Sequence, residues 1–283
     1  LMRYGSVPVD EKLSRSDSRA HQVQLMGVVE QLIKDTGITT RNVVVGVPNE
    51  KMFATVIDMP HLKEKELEKA VMYQADQHIP TPIDQSKVDF IPLGMSPKGD
   101  GQIEVLLAST TNQYAEERLD MLESIGLNVV GMEPDGLALA RSLVPPTNQE
   151  AVMIIDIGSA STDLVAVYGR TPRLVRGIPI GGQTLVKSAM QNLNVDEAQA
   201  QQFVYKFGMM QDKLEGQVFQ SIKSSVDNLI TEIDKSVKFF SSRYKGVPIA
   251  KIIVTGRASA IPDFPVYLVN KTNIAVEIGN SWV

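Results

Sequence analysis

The sequence predicts an α/β protein made of two parts, each with strands and helices of its own. Strand-like and helix-like segments alternate between residues 19 and 143, and a stretch rich in proline and polar residues at 145–150 precedes a second series of strands and helices. Such alternation is typical of α/β folds. The length of 283 residues is enough for two domains of ordinary size and a sizeable hydrophobic core.

The composition excludes several classes of function. The chain has 28 basic and 33 acidic residues, a net charge of −5, so no overall positive field attracts nucleic acid or anionic lipid. It has no cysteine, which excludes disulfides and thiolate metal sites and is typical of a reducing compartment. No apolar run is long enough to cross a bilayer. We therefore predict a cytoplasmic protein that reaches a membrane only through a partner.

The first part begins with a helix and a buried strand. After Ser18, apolar residues recur every three or four positions, and Gly37 ends the helix. Residues 42–48 form a buried type of strand that ends at Pro48, and helix 116–125, strand 128–132 and helix 137–143 complete this part. Residues 1–12 resemble the end of a strand that enters a loop. We therefore expect an N-terminal hairpin ahead of them.

Residues 50–110 predict a small α+β insert within the first part. A strand at 53–57 is followed by a charge-rich helix at 63–78, with apolar residues Leu67, Val71 and Ala75 on one stripe. Two further strands, 87–93 and 102–109, are joined by a turn of glycine, proline, lysine and aspartate. We expect the helix to pack on its own strands.

The second part predicts three consecutive strands, helices and two later strands. The strands at 154–157, 164–168 and 173–178 are followed by helices at 185–193 and 195–207, and strands at 251–255 and 274–278 end this part. Between them, apolar residues step by three or four from Val218 to Tyr244. A coiled coil would give similar spacing, but polar residues on the flanks favour one long helix packed on the core.

The turn of the first hairpin carries the most chemistry. Asp156 and Asp163 flank it, and Gly158, Ser159, Ala160, Ser161 and Thr162 lie between them. Unhindered backbone N–H groups and hydroxyls can surround a phosphate, and an aspartate can hold a hydrated divalent cation. The alternative is a polar hairpin turn that binds nothing, since short Gly/Ser motifs are common.

Four motifs in this order carry a resemblance to a known family. They are Asp156-Ile157-Gly158 with Ser161-Thr162-Asp163; Arg176-Gly177-Ile178-Pro179-Ile180-Gly181-Gly182; Ser236-Val237-Lys238-Phe239-Phe240; and Ile253-Val254-Thr255-Gly256 followed by Ile261-Pro262. Over nearly its whole length the chain resembles the PilM family of actin-like type IV pilus assembly proteins, which is similar to the cell-division protein FtsA. The resemblance implies a two-lobed actin-like (ribonuclease H-like) fold.

The resemblance also implies how the domains are divided. Residues 1–147 would be the first lobe, without its N-terminal hairpin and phosphate loop and with the insert at about 50–110. Residues 148–283 would be the second lobe, with a helical subdomain at about 184–247.

ATP and magnesium in the cleft between the lobes are the cofactors that the resemblance implies. Asp156 would hold magnesium through water, and no other residue is assigned a catalytic role. The implied nucleotide-binding residues are Asp156, Gly158, Ser159, Ala160, Ser161, Thr162, Asp163, Gly181, Gly182, Gly256 and Arg257.

Three departures from the family pattern weaken the prediction of catalysis. The phosphate loop of the first lobe is not in the sequence, and Gly256-Arg257 replaces a Gly-Gly pair that would approach adenosine. Arg257 would either block the pocket or stack on the base. Gln201-Gln202 stands where the family often has charged residues, and glutamine bonds a ribose hydroxyl more weakly than a carboxylate does. We expect weak ATPase activity or none.

The resemblance implies a protein partner as well. This is the cytoplasmic N-terminal tail of a PilN-like inner-membrane protein, within an assembly of other pilus components and without nucleic acid or direct membrane insertion. The tail would lie between the first lobe and the insert, near residues 43–57 and helix 63–79, in a groove that includes Val45, Val47, Phe53 and Val56. Such a scaffold, peripheral to the inner membrane, is the first hypothesis. The alternatives are an active ATPase of the actin and sugar-kinase class and an FtsA-like division protein.

Overall fold

The computed structural model describes residues 2–14, 16, 18–99 and 101–282. In this part of the chain the helices are α1 (Glu11–Ser14), α2 (Arg19–Thr36), α3 (Glu64–His78), α4 (Asn112–Ser124), α5 (Asp135–Leu143), α6 (Gly182–Leu193), α7 (Glu197–Phe207), α8 (Gln217–Arg243) and α9 (Phe264–Thr272). The strands are β1 (Asn42–Val47), β2 (Met52–Pro60), β3 (Ser86–Met95), β4 (Gln102–Thr111), β5 (Asn128–Pro134), β6 (Ala151–Ile157), β7 (Thr162–Tyr168), β8 (Thr171–Ile178), β9 (Ile249–Thr255) and β10 (Ala275–Ile278).

The first lobe contains β1 and β5, which pair in parallel, with α2, α4 and the start of α5. Helix α2 begins and ends as predicted: the Ser18 hydroxyl accepts from the N–H of His21, and Gly37 adopts a left-handed φ of 63°. Helix α4 begins four residues earlier than predicted, because the Thr111 hydroxyl caps it by accepting from the N–H of Tyr114.

The strand predicted at the start of the chain is not formed in the described residues. Residues 2–10 have no regular secondary structure, and α1 begins at Glu11. The segment lies against α2 instead of a strand, since Arg3 Nη1 donates to the carbonyl oxygen of Thr36 at 3.0 Å. Position 1, where the predicted strand would begin, lies outside the described residues.

The insert consists of β2, α3, β3 and β4, and its antiparallel sheet has the order β2-β4-β3. Helix α3 covers one face, as predicted. Its buried residues Leu67, Val71 and Ala75 pack with alternate residues of the strands, among them Ile57 and Val105. The opposite face carries Ala54, Val56, Asp58, Glu104, Leu106 and Ala108, because successive residues of a strand point to opposite sides.

The second lobe is built on a five-stranded sheet with the order β10-β9-β6-β7-β8. Strands β6, β7 and β8 are antiparallel neighbours, whereas β9 and β10 run parallel to their neighbours. Helices α6 to α9 pack on one face. Ile222, Val226, Leu229 and Ile233 of α8 are fully buried there, so the periodic run of α8 is core packing and not a coiled coil.

Helix α5 joins the two lobes. It follows directly after β5 of the first lobe, yet Ala140 and Leu143 pack on the opposite face of the second-lobe sheet with Ile154 and Val165. The cleft between the lobes therefore has the start of α5 at its floor. Among the described residues, no helix combines the length and apolar character needed to cross a membrane.

Candidate functional site

The hairpin turn at residues 158–161 lies at the end of β6. Asp156 is paired with Asp163 and Ile157 with Thr162 across the two strands. The turn is closed by a hydrogen bond of 2.9 Å from the N–H of Gly158 to the carbonyl oxygen of Ser161. No hydrogen bond between described residues uses the N–H of Ser159 or Ala160. These two donors can therefore serve an anionic group.

Gly181 and Gly182 support the turn from behind. The N–H of Gly182 donates to the carbonyl oxygen of Gly158 at 2.9 Å, and Thr162 Oγ1 donates to the carbonyl oxygen of Ile180 at 2.6 Å. A Cβ atom on Gly181 would lie 2.5 Å from the carbonyl oxygen of Ser159. The sequence placed both glycines on the nucleotide, but the N–H of Gly182 is already used to hold the turn.

Gly256 brings the end of β9 against Asp156. Its φ is +81°, a conformation that glycine adopts without strain. A Cβ atom there would lie 2.6 Å from the carbonyl oxygen of Ile157 and would also clash with Asp156 Oδ1. Glycine is therefore required at this position by both conformation and space, and its contact with a nucleotide stays a prediction.

Three carboxylates form the acidic floor of the cleft: Asp135, Asp156 and Asp163. Burial raises the pKa of Asp135, with a further contribution from Glu133. Burial also raises the pKa of Asp156, and the charge of Asp135 raises it further. Burial raises the pKa of Asp163 to about 6; the adjacent Asn49 amide opposes this, and nearby carboxylates add to it. Both polar atoms of the Asn49 side chain are buried without a hydrogen bond of good geometry.

The acidic floor favours a cation. No salt bridge between described residues involves any of its three carboxylates, so their repulsion is not offset by a cationic side chain. The described residues do not place three acidic or histidine side chains close enough to hold a metal ion directly. Magnesium held by Asp156 through water remains a prediction. Sequence reasoning missed Asp135 and Asn49, although both follow strand ends at the same edge of the first lobe.

The side of the cleft that the sequence predicts to hold the nucleoside is narrow. A pocket of about 110 Å³ lies between α6, α7 and the segment after β9, smaller than the roughly 300–1,000 Å³ of typical ligand sites. The Arg257 guanidinium lies over the Tyr205 ring, 5.1 Å from its centroid. Gln201 and Arg257 were predicted here, whereas Lys187, Glu197 and Tyr205 were missed. The lining residues are Ser159, Gly182, Gln183, Val186, Lys187, Glu197, Gln201, Tyr205 and Arg257.

A second candidate site is an apolar groove of about 190 Å³ between the insert and the first lobe. Strands β3 and β4 form one wall, and β1, β5 and the start of α4 and α5 form the other. Its lining residues are Val47, Met52, Lys87, Val88, Asp89, Phe90, Ile91, Leu106, Ala108, Ser109, Thr110, Ala115, Met132, Pro134 and Leu137. Helix α3, which the sequence analysis placed beside the groove, covers the other face of the insert sheet.

The four predicted groove residues do not lie together. Val47 lines the apolar groove, and Phe53 lines an adjoining polar pocket of about 400 Å³. Val56 lines a cleft of about 480 Å³ toward the second lobe, because it lies on the opposite side of β2 from Phe53. Val45 lines none of these pockets. The alternation along β2 therefore separates residues that the sequence placed together.

Comparison with known proteins identifies the family. The family model described as type IV pilus assembly protein PilM matches residues 1–283. The chain belongs to the PilM family. The resemblance read from the four motifs is thereby confirmed.

Solved structures confirm the actin-like fold. The chain is similar to a PilM-PilN type IV pilus biogenesis complex, with a TM-score of 0.81, 24% identity and coverage of 99% of this chain and 82% of that chain. It is also similar to the MamK double helical filament (TM-score 0.56, 13% identity, coverage 96% and 74%). A third is MreB5 of Spiroplasma citri bound to ADP (TM-score 0.53, 10% identity, coverage 92% and 71%).

Proposed function

We propose that this PilM-family chain is a scaffold of type IV pilus assembly that holds the N-terminal cytoplasmic tail of a PilN-like inner-membrane protein. The observation that carries the proposal is the apolar groove between the insert and the first lobe, in a chain whose family model spans all its residues. The similar fold in the PilM-PilN complex supports the choice of partner. The protein would thus be cytoplasmic and peripheral to the inner membrane through this partner.

The chemistry of the groove suits a segment with apolar side chains. Ile91, Leu106, Met132 and Leu137 contribute aliphatic surface to its walls. The polar pocket next to it shares Met52, Ser109 and Thr110 with the groove and adds Glu50, Lys51 and Glu117. An extended tail can therefore bury apolar residues in the groove and continue with polar residues into this pocket.

Substitution of Ile91 tests this proposal. Ile91 lines the groove and is 41% exposed, so Ile91→Glu should fold while placing a charge on the apolar wall. Loss of one aliphatic contact is worth about 1.5–3 kcal/mol, or roughly a 10- to 150-fold weaker Kd. The probe is a fluorescent synthetic peptide with the N-terminal tail sequence of the PilN-like protein from the same organism, measured by anisotropy.

The matched control is Met95→Glu. Met95 lies on the same strand, is 65% exposed and does not line the groove, so the peptide should bind this variant as tightly as the original chain. Equal Kd values for Ile91→Glu and the original chain would place the tail elsewhere. Absence of peptide binding by the original chain would overturn the scaffold proposal itself.

We propose further that ATP and magnesium bind weakly in the cleft and modulate the partner site, with little or no turnover. The N–H groups of Ser159 and Ala160 would meet phosphate oxygens, and Asp156 would hold magnesium through water. The bound ion would supply the positive charge that the acidic floor favours. The Arg257–Tyr205 contact supports weak binding, because it narrows the nucleoside side.

An active ATPase of the actin and sugar-kinase class is the second candidate, favoured by the acidic floor. Phosphoryl transfer depends on positioning and electrostatic stabilisation of the phosphate, and a nucleoside pocket of about 110 Å³ argues against firm positioning. Steady-state release of phosphate at a rate typical of kinases, about 1–100 per second, would favour this candidate over the scaffold.

The change in Tm caused by Mg-ATP tests the nucleotide proposal. We expect a small rise for the original chain, none for Asp156→Ala, and a larger rise for Arg257→Gly, which opens the nucleoside side. Each variant is compared with itself without nucleotide, because removing the half-buried Asp156 carboxylate alters Tm directly. If Mg-ATP raised the Tm of Asp156→Ala as much as that of the original chain, the turn at 158–161 would not be the site.

A further inference from the structure

Glu104 is a buried acid whose charge is balanced from another part of the molecule. It lies in β4 of the insert and is 1% exposed. Its carboxylate accepts hydrogen bonds from Arg173 Nη1, from Arg243 Nε at 2.8 Å and from Tyr244 Oη at 2.7 Å. All these partners belong to the second lobe. Within the described chain, no hydrogen bond or ion pair ties the Glu104 carboxylate to another residue of the insert.

A second acid makes the insert sheet depend further on the second lobe. Asp58 lies directly opposite Glu104 in the pairing of β2 with β4, and like charges at such positions destabilise a sheet. Arg243 Nη2 donates to Asp58 Oδ1 at 2.8 Å, and Arg243 also contacts Glu104. Lys98 Nζ, from the insert itself, lies 2.8 Å from Asp58 Oδ2. One guanidinium of the second lobe thus offsets both strand carboxylates.

A hydrogen bond to the backbone of β3 and the pKa values of Asp58 and Tyr244 both indicate that this cluster is well formed. Arg173 Nη2 donates to the carbonyl oxygen of Leu93 in β3 at 2.9 Å, so the second lobe holds all three strands of the insert. Burial alone would raise the pKa of Asp58, but hydrogen bonds from Lys98 and Ser96 and the charge of Arg243 lower it below its usual range. Burial and the hydrogen bond to Glu104 raise the pKa of Tyr244 to about 12.

The insert is held to the first lobe more loosely. The chain connects them at the start of β2 and the end of β4. The side chains that join them are exposed: Asn112 Nδ2 of α4 donates to the carbonyl oxygen of Asp84 at 2.9 Å, and Lys87 and Glu116 form an ion pair of 3.7 Å with both side chains more than half exposed. Exposed pairs of this kind contribute little. The groove lies on this loosely held side. Leu106, two residues along β4 from Glu104, forms part of its wall.

We propose that the cluster of Asp58, Glu104, Arg173, Arg243 and Tyr244 fastens the insert to the second lobe. The insert then moves with the second lobe when the two lobes move, and the groove against the first lobe widens or narrows as a result. The second lobe therefore sets the shape of a site that it does not line. The effect of this movement on binding of the tail rests on the proposed function, whereas the attachment of the insert to the second lobe does not.

Distance measurements between spin labels can test the fastening. The chain has no cysteine, so pairs of introduced cysteines label only the chosen positions. Lys69 of the insert, Lys238 of the second lobe and Gln24 of the first lobe are exposed helix positions. Pulsed electron paramagnetic resonance on the pair 69/238 reports the insert against the second lobe, and the pair 69/24 reports it against the first lobe.

Arg243→Ala is the main variant, because the remaining acids keep partners: Glu104 retains Arg173 and Tyr244, and Asp58 retains Lys98. We expect the 69/238 distance distribution to become at least twofold broader. Glu104→Gln, which keeps the shape and removes the charge, should broaden it too. Lys235→Ala is the control, since Lys235 lies on the same helix and pairs with Glu232 of that helix.

A 69/238 distribution as narrow in both Arg243→Ala and Glu104→Gln as in the control would overturn the proposal. With the synthetic tail peptide added to the original chain, the 69/24 distance should shift while the 69/238 distance stays within its original width. A shift of 69/238 by the peptide would also overturn the fastening. If the peptide shifts neither pair while Arg243→Ala broadens 69/238, the fastening is supported and the assignment of the tail to the groove fails.

Discussion

At the scale of single residues, Asp163 shows that the cleft disfavours the ionised form of its carboxylates. Its pKa is raised to about 6, chiefly by burial, and no salt bridge in the described chain offsets it. A raised pKa means that the folded state binds the proton more tightly than the unfolded state does. The resulting stability is fully present below the usual pKa of 3.8 and is lost as the pH rises through about 6.

Asp163→Asn should therefore stabilise the protein at pH 7. The difference between 3.8 and about 6 corresponds to at most about 3 kcal/mol, which solvent contact at this half-buried side chain reduces to about 1–2 kcal/mol. The gain in the free energy of unfolding should shrink as the pH falls from 7 to 4, because the aspartate then becomes neutral. Urea unfolding at several pH values measures it.

The exposed Asp76 provides the control for this prediction. It lies on α3, outside the cleft, so Asp76→Asn should change the free energy of unfolding by less than about 0.5 kcal/mol at each pH. A constant difference between Asp163→Asn and the original chain from pH 4 to pH 7 would show that the Asp163 carboxylate is not disfavoured by its surroundings.

Arg257 shows what single residues reveal in the sequence and what they do not. Its position after Gly256 departs from the family pattern, and the sequence predicted that its side chain would either block the pocket or stack on the base. The structure places it over the Tyr205 ring. Gln201 and Tyr205 are four residues apart on α7 and so share a face, a spacing that could have revealed Tyr205. The contact with Arg257, from a distant segment, depends on tertiary packing.

At the scale of elements, the sequence predicted most helices and strands because their apolar residues follow a clear period. The stripe of Leu67, Val71 and Ala75 on α3 is buried as predicted, and the long run on α8 is one helix. The first residues of helices were less predictable where capping interactions determine them. Helix α6 begins at Gly182, three residues before the predicted start, because Gly181 and Gly182 pack against the turn at 158–161.

Faces of strands were harder to predict than their existence. Strand β2 carries apolar residues on both sides, so Phe53 and Val56 gave no indication of which side α3 would cover. A charged residue within the apolar strand β4, Glu104, was the available signal for a contact with another element. The sequence could not identify its partners, because Arg173 and Arg243 are 69 and 139 residues away along the chain.

At the scale of the whole molecule, the insert is attached to both lobes. The chain joins it to the first lobe, whereas buried charges fasten it to the second. The acidic floor combines Asp135 at the start of α5 with the hairpin of the second lobe. A cation and nucleotide there would act on the angle between the lobes, and the groove would respond through the insert. Nucleotide and tail should therefore influence each other's binding.

The last prediction concerns this coupling. If Mg-ATP changes the Kd of the tail peptide by some factor, the peptide must change the Kd of Mg-ATP by the same factor, because binding linkage is reciprocal. We expect a factor of roughly 5, near the lower end of common values, since the narrow nucleoside side limits nucleotide binding. Titration calorimetry in both orders measures this factor.

In Arg243→Ala the factor by which Mg-ATP changes the Kd of the peptide should approach 1. The peptide Kd without nucleotide should stay within about twofold of that of the original chain, because Arg243 does not line the groove. Lys235→Ala should keep the full factor. Full coupling in Arg243→Ala would mean that α5, the other element shared by the lobes, carries the signal.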